Sequence, residues 1–365
     1  MRAVIQQVKL PDTGRIIAVS DVHGNLPYLK GLLARLQLRD EDTLVFCGDI
    51  LEKGRYSLET LRYIMRLASE RRVLAVLGNC DFWQDAIYRP TPGSDEYCKR
   101  YLLSDSAGWG PGLLAQMCQE AGFVVGQGMD MAEFRRVIGA AYAPEFRFLE
   151  SLPHVIDTEH YVFVHGGLPE GEREDWDGWK CMKNDNFLGQ GRSFDRWVIV
   201  GHWPVTLYGT DTVCANPIIE RERKIISIDG GCVLKDDGQL NALIIPYNGS
   251  EDFQVEHYDP FPVRRVKSAQ KGSEKSIYIR WGDNIVRILE RGREFSRCVH
   301  VRTGYELDIL TKNLYGESGE VRCNDCTDYV LPLEAGDEVS VVETTSRGYF
   351  VKHNGVSGWY GGELL

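Results

Sequence analysis

Through the first 250 positions, short apolar runs of strand length alternate with longer stretches whose apolar residues recur at helical spacing. RIIAVS (15–20) is a β-branched run, and LPYLKGLLARLQL (26–38) returns to leucine at helical intervals, the pattern of a helix with one buried face. DTLVFCG (42–48), SLETLRYIMRLASE (57–70) and RVLAVLG (72–78) repeat the rhythm and predict a βαβαβ opening. From about 82 to 150 the strand pattern lapses, and a segment rich in Gly, Met, Trp and Tyr reads as a mostly helical insertion beside a site. Strands return as YVFVHGG (161–167), WVIVGH (197–202), KIISIDGG (224–231) and LNALIIP (240–246). A helix-wound first half followed by a strand-rich second half predicts an α/β fold with two packed sheets.

The pattern changes after residue 250. Residues 251–305 read as a linker, RRVKSAQKGSEKS (264–276), followed by SIYIRWGDNIVRIL (276–289) as a hairpin turning at Gly282-Asp283-Asn284. Residues 306–365 end in short strands separated by Gly, Asn and Ser turns, and LEAGDEV (333–339) to GVSGWYGGEL (355–364) resembles the last four strands of a Src-homology-3-like β-barrel. The proline and tyrosine that line a polyproline groove in such domains are replaced by Gly361 and Leu364. A protein partner or a substrate-gating role is therefore expected of this barrel rather than polyproline binding.

Composition narrows the setting. A chain of 365 residues with 43% hydrophobic content can bury a large core and a smaller second one. No run approaches the 18 or so apolar residues of a membrane span, and MRAVIQQVKLPDTGR lacks the layout of a secretory signal. The ten scattered cysteines, only Cys323 and Cys326 spaced as CxxC, read as reduced thiols in a cytoplasmic protein. That pair is at most half of a zinc knuckle, with no second pair or nearby histidine to complete four ligands, Cys47 on its apolar strand reads as core, and His154 and His160 read as surface or core positions. A net charge of −11 argues against nucleic acid or an anionic membrane as partner.

The chemistry sits at the strand ends. Asp21 and His23 follow the first strand, Asp49 the second and Asn79 the third, while His165 and His202 end the next two. Open α/β sheets bind ligands beyond the carboxyl ends of their strands, so these six side chains converge on one rim. Six ligands exceed what one ion needs and suit two that share a carboxylate. A mixed His, Asp and Asn set favours manganese, iron or zinc over calcium or magnesium.

In order, SDVHGN (20–25), GDILEKG (48–54), GNCD (78–81), VFVHGGL (162–168) and VGHWPV (200–205) resemble the five signature blocks of the calcineurin-like metallophosphoesterases, and within them the phosphoprotein-phosphatase branch. FLESLPHVIDTEHYVFVHGGL (148–168) and KIISIDGG are similar to bacterial members, and the resemblance covers roughly 14–247. It implies a four-layer α/β/β/α sandwich over residues 1–250 and two divalent transition ions, manganese foremost. One ion would be held by Asp21, His23 and Asp49, the other by Asp49, Asn79, His165 and His202. A water activated between ions about 3.5–4 Å apart would attack phosphorus without a covalent phosphoenzyme.

Three positions depart from the family pattern. Lys53 stands for an arginine with Glu52 for the aspartate before it, and Lys183 in WKCMKNDNF stands where a second phosphate-gripping arginine is expected. Lysine keeps the charge but lacks the two-pronged grip on phosphate, a role that Asn79 would share. Cys80 occupies the place of a proton-donating histidine, which leaves Cys80, Asp81 and Glu52 as candidate acids beside the catalytic Asp49. GNCD also occurs in relatives that resemble small phosphodiesterases. The expected activity is a Ser/Thr-type phosphoprotein phosphatase, with a nucleoside polyphosphate (diadenosine tetraphosphate-like) hydrolase and a catalytically weakened phospho-ligand binder as alternatives.

Overall fold

The computed structural model describes residues 1–104, 110–316 and 320–365. Residues 105–109 of the expected insertion and 317–319 of the expected barrel lie outside the described residues. The chain divides into two compact units, one of residues 1–204, 217–234 and 238–259, the other of 205–216, 235–237 and 260–365.

The first unit is mixed α/β with two sheets. In one, Ile16–Val19 lies between Leu240–Ile245 and Thr43–Phe46, with Gln254–Tyr258 and Val73–Ala75 at the edges. Ile16–Val19, Thr43–Phe46 and Val73–Ala75 run parallel, in the register Ile16↔Thr43 and Leu44↔Val73. The other is ordered Ile5–Gln7, Val155–Asp157, Tyr161–Val164, Trp197–Val200, Ile225–Ser227, Ile218–Glu220. Its Tyr161–Val164, Trp197–Val200 and Ile225–Ser227 are also parallel.

Period-two alternation explains why these runs read as continuously apolar. Ile16, Ala18 and Val45 enter a core shared with Phe163, Ile199 and Ile226 of the other sheet. Ile17, Val19, Leu44 and Phe46 face the opposite way, into a core built with helical residues. Both faces are thus buried. Burying one Val, Leu, Ile or Phe side chain stabilises by about 1.5–3 kcal/mol, and a one-residue slip would send each to the wrong core.

Helices Leu26–Leu36 and Ser57–Glu70 place Leu29, Leu32, Leu33 and Leu58, Leu61, Ile64 on that helical core. Between residues 82 and 151 lie Gln84–Tyr88, Ser94–Leu103, Leu113–Ala121, Met131–Ala141 and Ala143–Ser151. His154 is buried, accepting at Nδ1 from the Val4 N–H, and Cys47 lies in the inter-sheet core. No helix is long and apolar enough to cross a membrane among the described residues.

The second unit is all β apart from single 3-10 turns. Here the strands pair differently from the expected hairpin and barrel. Tyr278–Ile279 pairs with Cys326–Thr327, and the hairpin forms instead between Ile285–Glu290 and Phe295–His300, turning over 291–294. The Asp325 carboxylate draws the earlier segment away, accepting from Trp281 N (2.8 Å) and Tyr278 OH (2.9 Å). Glu306–Leu310 joins the hairpin sheet because Leu307 and Ile309 alternate into a core with Val286 and Cys298. The terminal strands Glu338–Thr345, Gly348–His353 and Val356–Tyr360 take Val263–Arg265 and Val213–Cys214 as their edges. Those edges do not pair with each other among the described residues, so closure of this sheet into a barrel is not shown.

Candidate metal centre

The loops after three of the strands hold their polar residues in unusual backbone conformations. Of the eleven non-glycine residues with positive φ among the described residues, six are Asp21, His23, Asp49, Glu52, Lys53 and His202. Such strain persists only where the surroundings over-determine it, and it clusters at functional sites. Two glycines permit the approach. A Cβ on Gly78 would stand 2.1 Å from Asp49 N, and one on Gly201 would overlap Ser20 Oγ and lie 2.3 Å from Asp21 Oδ2.

Each histidine has one ring nitrogen already committed. His23 Nδ1 lies 3.2 Å from Leu51 O, and His165 Nδ1 lies 2.8 Å from Cys47 O. A carbonyl can only accept, so both imidazoles donate from Nδ1, which leaves Nε2 as the atom each would turn to a metal, His165 on giving up its second proton. His202 is reversed. Its Nε2 meets Asp185 Oδ1 at 2.7 Å, leaving Nδ1 as the lone-pair atom, the arrangement by which an outer carboxylate orients a metal-binding histidine.

Asp49 joins two groups. The ligand atoms of His23, Asp49 and Cys80 lie within 4.8 Å of one another, and so do those of Asp49, His165 and His202. Asp49 Oδ2 is 3.7 Å from His23 Nε2, and Oδ1 is 3.2 Å from His165 Nε2, so each oxygen serves one group. Asp21 uses Oδ2 to accept from Ser20 Oγ and His202 N, which aims Oδ1 at His23 Nε2, 3.7 Å away.

The site's electrostatics call for cations. Asp21, Asp49 and Asp229 are all buried. Burial, then the Asp229 charge, raises Asp21 well above the carboxylate range, and burial pushes Asp229 up to about 6. Burial opposes charge on His165, yet Asp49 and Asp21 outweigh it and hold the imidazole up at about 10. Burial and Lys53 push His23 down to about 3, and burial with His165 pushes His202 down to about 4, so both stay neutral. Asp21 Oδ1, Asn79 Oδ1 and Asp229 Oδ2 are buried and have no hydrogen-bond partner. Clustered, under-satisfied oxygen and nitrogen donors of this kind fit a pair of divalent ions.

The three candidate acids are differently placed. Asp81 is fully buried, and its two oxygens accept from Leu51 N and Gly78 N at 3.0 Å each. Burial, then Asp49, pushes its pKa up to about 8, the direction an acid requires, but the carboxyl tethers the two ligand loops to each other. Glu52 accepts from Trp83 Nε1 (2.8 Å), Leu113 N (3.0 Å) and Tyr101 OH, locking the helical segment to the Asp49 loop. Only Cys80 keeps a half-exposed side chain beside the two groups. Glu52→Ala strands two buried donors and a half-buried one at about 1–3 kcal/mol each, so urea unfolding is expected to register a loss of about 3 kcal/mol or more. A loss under about 1 kcal/mol would deny Glu52 the locking role.

Burial opposes the Lys53 charge, but Cys80, Asp49 and Asp21 more than offset this and raise its pKa, so the ammonium stays charged with Nζ 3.5 Å from His23 Nε2. Lys183 is exposed and pairs with Asp185 at 3.3 Å, so it reaches His202 through that carboxylate. Two carboxylates of this site were absent from the expectation. Asp229 follows Ile225–Ser227 and obeys the same strand-end rule as the other ligands. Asp185 lies in irregular chain, where nothing in its neighbours announces it.

Comparison with known proteins places the chain. Residues 14–229 match the family model described as calcineurin-like phosphoesterase. A symmetrical bis(5'-nucleosyl)-tetraphosphatase from Pectobacterium atrosepticum is 45% identical over 71 residues, 19% of this chain and 25% of that protein. The chain thus spans about a quarter of the length of the curated relatives it matches. Among solved structures, a putative diadenosine tetraphosphatase is similar at 19% identity and TM-score 0.42, covering 71% of this chain and 99% of its own. A Saccharomyces cerevisiae protein serine/threonine phosphatase is similar at 12% identity and TM-score 0.45, covering 72% of this chain and 85% of its own.

Proposed function

The chain belongs to the calcineurin-like phosphoesterases, which use divalent metals in a dinuclear site, and on that footing we propose that it hydrolyses phosphoanhydrides and phosphate esters with good leaving groups, nucleoside polyphosphates ahead of phosphoserine. One observation carries this reading: among the described residues, none of the three candidate acids is a free, strong proton donor for a leaving alkoxide. Position 80 is a thiol, Glu52 is taken up by Trp83, Tyr101 and Leu113, and Asp81 by two backbone amides. A nucleoside phosphate leaves as a stable anion, whereas a serine alkoxide does not. The names of the tetraphosphatase relatives favour the same substrate class.

In this proposal Asp21, His23 and Asp49 hold one ion, and Asp49, Asn79, His165 and His202 hold the other. When bound, the ions supply Lewis-acid activation of water and of the phosphoryl group. The protein's side chains position the rest. Asp185 fixes the His202 tautomer, Asp81 fixes the distance between the Asp49 and Asn79 loops, and Lys53 offers its ammonium to a phosphoryl oxygen. Lys53→Met removes one charged hydrogen bond, worth about 1.5–3 kcal/mol, and is expected to lower kcat/KM by roughly 10–100-fold. An unchanged kcat/KM would exclude Lys53 from phosphate binding.

The proposal is tested by comparing kcat/KM of the metal-loaded full chain on diadenosine tetraphosphate and on a phosphoserine peptide. The tetraphosphate is expected to be the better substrate. The opposite order would restore the phosphoprotein phosphatase reading, and binding of both without turnover would make the chain a phospho-ligand sensor.

A further inference from the structure

The Cys80 sulfur is a potential ligand as well as a missing acid. Its Sγ, with the ligand atoms of His23 and Asp49, forms a triangle whose sides are all within 4.8 Å. Two ligands on one ion at about 2.3 Å for sulfur and 2.1 Å for nitrogen stand at most about 4.4 Å apart, so a small contraction closes the triangle onto a metal. A second, independent observation points to the same space. Asp21 Oδ1 is buried without a hydrogen-bond partner and lies 3.7 Å from His23 Nε2.

One neighbour treats the sulfur as an acceptor. Asn79 Nδ2 donates to Cys80 Sγ at 3.3 Å, while the Cys80 backbone N–H donates to Asp49 Oδ1 at 2.8 Å and pins residue 80 beside the shared carboxylate. The same amide orientation leaves Asn79 Oδ1 without a partner. We infer that Cys80 is a sulfur ligand of the ion held by Asp21, His23 and Asp49, and that it tilts this half of the centre toward zinc or iron(II) and away from manganese. The inference rests on the metal-centre reading above. Thiolate is a soft ligand and selects zinc and iron, whereas carboxylate and imidazole alone discriminate less. The preference runs against the manganese expected from the family resemblance.

Cobalt(II) titration of the metal-stripped full chain tests this, because sulfur ligation adds a near-ultraviolet charge-transfer band to the visible bands that any bound cobalt gives. Wild type is expected to show both sets, and Cys80→Ser and Cys80→Ala only the visible bands. In competition, the zinc-over-manganese preference of either variant is expected to fall by no less than the roughly 10–100-fold that outer-shell partners typically contribute. Visible bands without charge transfer in wild type, or charge transfer that survives both substitutions, would overturn the inference while leaving the dinuclear centre in place. Failure of wild type to bind cobalt at all would overturn the centre itself and the inference with it.

Discussion

Asp49→Asn is expected to lose at least about 10³-fold in kcat/KM on every phosphate substrate, and its metal with it. Asp49 is the one side chain common to both ligand groups, with Oδ2 turned to His23 and Oδ1 to His165. The amide is the same size and keeps one oxygen, but its NH₂ would face a histidine lone pair or a cation. The shared anion disappears, and the remaining donors form two incomplete sets. Far-ultraviolet circular dichroism of the variant should match wild type. A folded variant that keeps both its metal and activity within about tenfold of wild type would contradict Asp49 as the bridge.

Cys80→His is expected to raise turnover on phosphoserine peptides by as much as the roughly 10²–10⁴-fold that a general acid contributes, with little change on p-nitrophenyl phosphate. The wild-type rate should accordingly fall steeply as leaving-group pKa rises across a series of aryl and alkyl phosphates, and the histidine should flatten that slope. The reason lies in which groups are free. Asp81 and Glu52 are committed to the five donors Leu51 N, Gly78 N, Trp83 Nε1, Leu113 N and Tyr101 OH. A thiol is a weak donor, and its thiolate donates nothing. Similar single-turnover rate constants on both substrate types, unchanged by the histidine, would identify another acid.

The strand-end residues were legible in the sequence because the physics is local. An apolar run of strand length fixes where the strand stops, and a ligand-type residue within the next four positions lies in the loop at the sheet's carboxyl edge. That logic places Asp21, His23, Asp49, Asn79, His165 and His202 in the loops at the ends of their strands; four of them, His23, Asp49, His165 and His202, fall into the two groups that share Asp49, together with Cys80. Applied to the end, it would also have found Asp229. Asp185 was beyond it, since a residue in irregular chain reaches His202 only through tertiary packing. The surroundings of the candidate acids were hidden for a different reason. Sequence shows that a carboxyl is present, while the partners of Glu52 at 83, 101 and 113 lie in or beside helices whose docking no local pattern encodes.

The C-terminal strands were visible as strands, but their pairing was not. Gly282-Asp283-Asn284 has the composition of a hairpin turn, yet Asp325, more than forty residues away, captures the preceding segment. Turn chemistry competes there with a distant carboxylate that accepts from a backbone N–H and a tyrosine hydroxyl. Alternation in Glu306–Leu310 likewise says that one face is buried, not which sheet receives it.

The central claim is a centre of two ions held by six side chains and bridged by Asp49. Its most direct test is elemental analysis of the full chain, followed by chelation and stepwise return of the metal with hydrolysis measured at each step. The account predicts about two divalent ions per chain, loss of hydrolysis on stripping, and recovery that is complete only near the second equivalent. A metal-free chain that still hydrolyses phosphate substrates, or full activity reached at a single ion, would contradict it.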